Sequence, residues 1–92
     1  MNVASSSIEV RNRLGLHARP SEQFVKAAQG YESDISLRVG DRIGNGKSII
    51  GLLGLGVVHG TILEITASGP DACEAVDGLA ALLARLAAEE VD

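Results

Sequence analysis

The hydrophobic residues of this chain change period along its length, and that change limits the architectures open to it. From Ser7 to Arg11 they alternate, with Ile8 and Val10 on one side and Ser7, Glu9 and Arg11 on the other, the pattern of a half-buried strand. From Ala18 the spacing turns helical. Ser21, Phe24, Val25 and Ala28 share a face, and Gly30 stands where a C-terminal cap belongs. Ile35, Leu37 and Val39 then alternate with Ser36 and Arg38. Gly40 and Asp41 suit a two-residue hairpin turn into a short strand over about 42–44. Ser48 is placed to N-cap a short helix in "IIGLLGL". Thr61 to Ala67 alternates once more, with Leu63, Ile65 and Ala67 on one face. Ala72, Ala75, Val76, Leu79, Leu82, Leu83 and Leu86 form the stripe of a long last helix. Gly69 or Ser68 can cap it, Pro70 suits its first turn and Gly78 is a local weak point. The order β-α-β-β-α-β-α predicts an α+β fold, an antiparallel sheet with helices on one face.

Ninety-two residues make one domain, 1–92, with no linker and no internal repeat. Phe24 and Tyr31 are the only aromatics, so the core is aliphatic. A net charge of −4 and the lack of stacking aromatics exclude nucleic acid as a partner. Cys73 is the only cysteine. It allows no internal disulfide and reads as a small packing residue of the last helix. The start "MNVASSSIEV" has no apolar signal core, and "IIGLLGLGVV" is too short and too glycine-broken to span a bilayer. A cytoplasmic protein with no membrane insertion is expected. His59, in "VVHGT", reads as an exposed loop residue. His17 and His59 lack further ligands at metal-binding spacing, so neither a metal nor a cofactor is expected. "GDRIGNGKS" is not a nucleotide-binding P-loop, because Lys47 and Ser48 would need a glycine at the position of Asp41.

The chemistry gathers in "GLHARPSEQF", residues 15–24. His17 falls at the junction of the first strand and the first helix. A helix N-terminus offers unpaired N–H groups and a partial positive charge, a ready anion site. The same field favours a neutral, nucleophilic imidazole. Arg19 adds a guanidinium that can fork onto phosphate oxygens. Pro20 has no N–H to leave unsatisfied in a first turn, and Gly15 lets the loop approach a ligand closely. These residues read as an anion site with a nucleophile in it.

"NRLGLHARPSEQFVKAAQGY", followed by "GKSIIGLLGLGV" and an amphipathic C-terminal helix, resembles the HPr family, the histidine-containing phosphocarriers of the bacterial sugar phosphotransferase system. The resemblance runs from about Ser7 to Leu86. It implies an open-faced β-sandwich of four antiparallel strands with three helices on one face. It implies that His17 takes a phosphoryl group on Nδ1 from phospho-enzyme I and passes it to the A component of a sugar permease, with Arg19 steadying the phosphate. On this view the protein is a carrier and not an enzyme. Ser48 matches the serine that HPr kinase/phosphorylase modifies in many bacteria. Ile49, Leu52, Leu53 and Leu55 make an apolar docking patch beside it, because so short a helix cannot bury them all. Ala18, Pro20 and Lys47 complete the partner-binding set. Glu22 stands where many relatives have a small apolar residue. "GKSIIG" resembles the sugar-transport type more than the nitrogen-regulatory one. A reading from another class keeps the fold and drops the chemistry. It is a regulatory module that docks kinases or transcription factors through the patch, indifferent to His17.

Overall fold

The computed structural model describes residues 2–90. Strands β1 (Asn2–Glu9), β2 (Asp34–Val39), β3 (Arg42–Asn45) and β4 (Ile62–Gly69) alternate with helices α1 (Ala18–Gln29), α2 (Ile49–Leu53) and α3 (Ala72–Ala88) in the expected order. The strands form one antiparallel sheet in the order β1-β4-β2-β3. Leu63, Ile65 and Ala67 of β4 lie beside Ile35 and Leu37 of β2 on the inner face, all buried. Phe24, Val25 and Ala28 of α1 and Ala72, Ala75, Val76, Leu79 and Leu83 of α3 cover them. With one aromatic ring in it, this core rests on branched aliphatic side chains, each worth about 1.5–3 kcal/mol when fully buried. The other face mixes polar side chains with three exposed aliphatic ones, Val3, Ile43 and Ile62. The Ser5 and Thr66 hydroxyls pair at 3.1 Å and Arg38 meets Glu64 at 3.1 Å.

Three local expectations are corrected. The first strand begins at Asn2, not Ser7, and ends at Glu9. "NVASSS" has no hydrophobic alternation of its own. It is held by an unbroken ladder from Asn2↔Gly69 to Glu9↔Ile62, and an edge strand needs only that one neighbour. The last helix is not capped by Ser68 or Gly69, nor does it contain Pro70. Gly69 ends β4, and Asp71 is the N-cap residue. The Asp71 carboxylate does not cap its own helix. It accepts from the Glu32 N–H (2.9 Å), the Ser33 N–H (2.9 Å) and the Ser33 hydroxyl (2.5 Å), tying the loop after α1 to the start of α3. The Ser33 hydroxyl first, then the Glu32 amide, hold this carboxyl below its ordinary value of 3.8. Cys73 is exposed rather than packed, because it falls off the stripe that Ala72, Val76 and Leu79 turn inward.

Candidate functional site

The loop between β1 and α1 is fixed at both ends. Val10 donates to the Thr61 carbonyl (2.8 Å) and accepts from the Gly60 N–H (2.7 Å). The Gly15 N–H closes a turn on the Asn12 carbonyl (2.9 Å), and the Leu16 N–H bonds the Val57 carbonyl (3.1 Å). Gly15 has φ 65°, and a Cβ there would overlap the Val57 carbonyl oxygen and come within 2.6 Å of the Val58 Cα. Only glycine fits where these two backbones touch. The buried Ser21 hydroxyl donates to the Leu16 carbonyl at 2.8 Å. Leu16 is therefore held from three sides: its own packing into the core, the Val57 carbonyl and Ser21.

His17 comes next, as the N-cap residue of α1, with extended backbone (φ −74°, ψ −173°). Its carbonyl accepts from the Ser21 N–H at 3.1 Å, while its imidazole makes no capping bond and is exposed. The Ala18 and Arg19 amides lie in the first turn, where no intrahelical acceptor exists, and Pro20 has no N–H. The exposed Arg19 side chain forms no ion pair among the described residues. An imidazole, an uncommitted guanidinium and open amides at the positive helix end thus meet in one place. A cleft of about 710 Å³ beside them is lined by His17, Arg19, Gln23, Asn12, Leu86 and Glu90 among others. The arrangement suits a nucleophile that holds an anion and gives it up again. His17 and Arg19 thus line the same cleft. His59 lies apart, exposed in the loop before β4.

Ser48 is the N-cap of α2, and its Oγ accepts from the Gly51 N–H at 3.1 Å. The patch expected around it needs correction. Leu52 and Leu55 are buried in the core, Leu52 on the inner side of α2 and Leu55 in the turn just after it. Pro20 is buried too, serving the helix start. Lys47 is half-buried, and its ammonium is engaged within the chain, donating to the Tyr31 carbonyl at 2.7 Å. Ala18 and Leu53 (42% exposed) remain at the surface, with Ile49 half-buried. The sequence reasoning missed the largest exposed apolar groups, Ile50 (80%) and Leu14 (74%). A count of residues on α2 marks several leucines and isoleucines, but which of them face out depends on how the helix seats against α1 and β3.

A family model described as "PTS HPr component phosphorylation site" matches residues 4–85. The chain belongs to the HPr family. It is 42% identical over 79 residues to the phosphocarrier protein HPr of Vibrio cholerae, covering 86% of this chain and 93% of that one. It is 40% identical to the HPr-like protein Crh of Bacillus subtilis over 79 residues, with 86% and 93% covered. A multiphosphoryl transfer protein of Xanthomonas campestris matches at 37% over 76 residues, 83% of this chain but 9% of that longer protein. Among solved structures, HPr-C-His from Thermoanaerobacter tengcongensis superposes with a TM-score of 0.90 at 36% identity, covering 96% and 99% of the two chains. The open sheet with three helices over one face is therefore an HPr fold, as the sequence resemblance implied.

Proposed function

We propose that His17 is the phosphoryl acceptor of this HPr-family chain, charged by phospho-enzyme I and discharged to the A component of a sugar permease. The observation that carries this reading is an exposed imidazole with no capping bond at the open N-terminus of α1, two residues before Arg19. Attack by an imidazole nitrogen on the phosphoryl phosphorus of the donor forms the P–N bond as the donor's own bond to phosphorus breaks. The negative oxygens then lie near the Ala18 and Arg19 amides and within reach of the guanidinium. Such a transfer needs positioning and charge stabilisation more than acid–base machinery, and the partner supplies much of both. That the relative in Xanthomonas campestris is called a multiphosphoryl transfer protein supports a place for such a domain beside phosphoryl-donating or -accepting partners.

Ser48 is proposed as a regulatory site for an HPr kinase/phosphorylase. A phosphate there is compatible with the helix it caps, and it places two negative charges beside exposed Ile50 and Leu53. Ala18, Ile49, Ile50, Leu53 and Leu14 form the docking surface. Pro20, Lys47, Leu52 and Leu55 are left out of it. A second reading, a regulatory module like Crh, is favoured by the 40% identity to that protein. It predicts partner binding that ignores His17. The experiment is incubation with enzyme I and phosphoenolpyruvate. Wild type is expected to gain one acid-labile phosphoryl group, and His17→Ala none. Equal labelling of both would overturn the carrier reading. Ser48→Asp is expected to slow transfer from enzyme I severalfold with the fold intact, and an unchanged rate would exclude this surface.

A further inference from the structure

We propose that Asn12 is a positioning residue for phosphoryl transfer, its carboxamide holding internal water between the His17 loop and the end of α3. The proposal rests on His17 being the phosphoryl acceptor. Asn12 is 1% exposed, and neither Oδ1 nor Nδ2 has a partner among the described residues. A carboxamide brings two donors and an acceptor oxygen with two lone pairs into the interior, and leaving them unmet is costly. The backbone of Asn12 is not the reason for the residue type, because its carbonyl already accepts from Gly15 and any residue would provide that.

The surroundings make the choice of asparagine harder to dismiss. Asn12 lines the cleft that holds His17 and Arg19. It also lines a second hollow of about 430 Å³ against α3, whose walls are mostly apolar, with Val10, Leu83, Ala84 and Ala87 among them, and include the charged Glu9 and Arg11. It stands as the partition between the two. Against these mostly apolar walls a leucine, of the same branched shape, would bring no polar atom to satisfy. The chain has a carboxamide there, and the small alanines leave space next to it. Water is the group that meets both conditions. It is small enough for the space, and it makes two to four bonds to otherwise unmet polar atoms.

The consequence for the site follows from connectivity. Asn12 opens the turn that Gly15 closes, and Leu16 and His17 follow directly. One residue on, the Arg13 N–H donates to Glu90 Oε2 at 2.9 Å, just past the end of α3. A hydrated carboxamide adds a second tie between the same turn and the same helix end. Together they fix the turn from below, as the Val57 carbonyl fixes Leu16 from the other side. The imidazole is then presented at one height over the open amides.

The test compares wild type, Asn12→Leu and Asn12→Ser as full chains. High-resolution crystallography is expected to show ordered water in hydrogen-bond contact with Oδ1 or Nδ2. Asn12→Leu is expected to speed hydrogen exchange at the Arg13 and Gly15 amides. It should also lower kcat for transfer from enzyme I about tenfold, less than the roughly hundredfold that a 1 Å misplacement can cost, with KM for this protein unchanged. Asn12→Ser replaces the carboxamide with a hydroxyl, which still binds water and leaves room for more of it, and it should recover most of the rate. If Asn12→Leu transfers normally with the amides still protected, the proposal is overturned. A high-resolution structure with no water at the carboxamide overturns it too. Wild type that takes no phosphoryl group ends the parent reading. Normal wild-type labelling with an indifferent Asn12→Leu ends this one alone.

Discussion

Gly15 carries the geometry of the site more than any residue that does chemistry. Its φ of 65° and its contact with the Val57–Val58 backbone set where Leu16, and hence His17, leaves the loop. Gly15→Ala should destabilise the protein by more than about 1 kcal/mol, since alanine is strained at this φ and has no space. Thermal denaturation measures the loss, and an unchanged Tm would show that the two loops part easily. At this scale the sequence was legible where chemistry and local conformation coincide. "GLHARP" gives a glycine, an imidazole, a guanidinium and a proline at a helix start, and the structure puts each of them there. Asn12 was not legible. A polar residue in a loop gives no sign that tertiary packing will bury it.

Among the elements, α3 shows how packing overrides propensity. Gly78 looks like a flaw in a good helix, where alanine is better by about 1 kcal/mol. The structure gives its reason: a Cβ at that position would run into the Tyr31 hydroxyl. Gly78→Ala should therefore gain less in the wild type than helix propensity alone promises, because the Tyr31 ring must shift. In a Tyr31→Ala background the same change should stabilise by about 0.5–1 kcal/mol. Denaturant titration of the four proteins measures the coupling, and an equal effect in both backgrounds would remove the packing explanation. The elements themselves were readable because strand and helix periods alternate cleanly from Ala18 onward. Their ends were less so. β1 takes its length from the ladder on β4 and not from its own side chains. The start of α3 is set by an aspartate whose partners are some forty residues earlier in the chain, as with Ser33 at a separation of 38. α2 was visible as an apolar helix, but five residues do not reveal which side faces the core.

Taken whole, the molecule is an aliphatic core with one sheet face open to solvent and His17 and Arg19 exposed at one corner, and acid should loosen it at a known place. Asp71 has a lowered folded-state pKa, so its clamp on Glu32 and Ser33 contributes stability above the ordinary carboxylate value of 3.8. That contribution is lost as pH falls through the lower, folded-state value. Asp71→Asn should be less stable than wild type at neutral pH, and the difference should shrink in acid. Urea titrations at neutral and strongly acidic pH measure it, and a constant difference would mean that the charge is irrelevant. No helix among the described residues is long and apolar enough to cross a membrane. The central claim concerns that corner: a phosphoryl group on His17 is held by the open start of α1. The most direct measurement is the ¹H–¹⁵N NMR spectrum before and after phosphorylation by enzyme I and phosphoenolpyruvate. The largest shifts are predicted at the His17 ring and the Ala18 and Arg19 amides, with α3 beyond its last turn nearly unmoved. Phosphorylation that leaves the Ala18 and Arg19 amides in place would contradict the account.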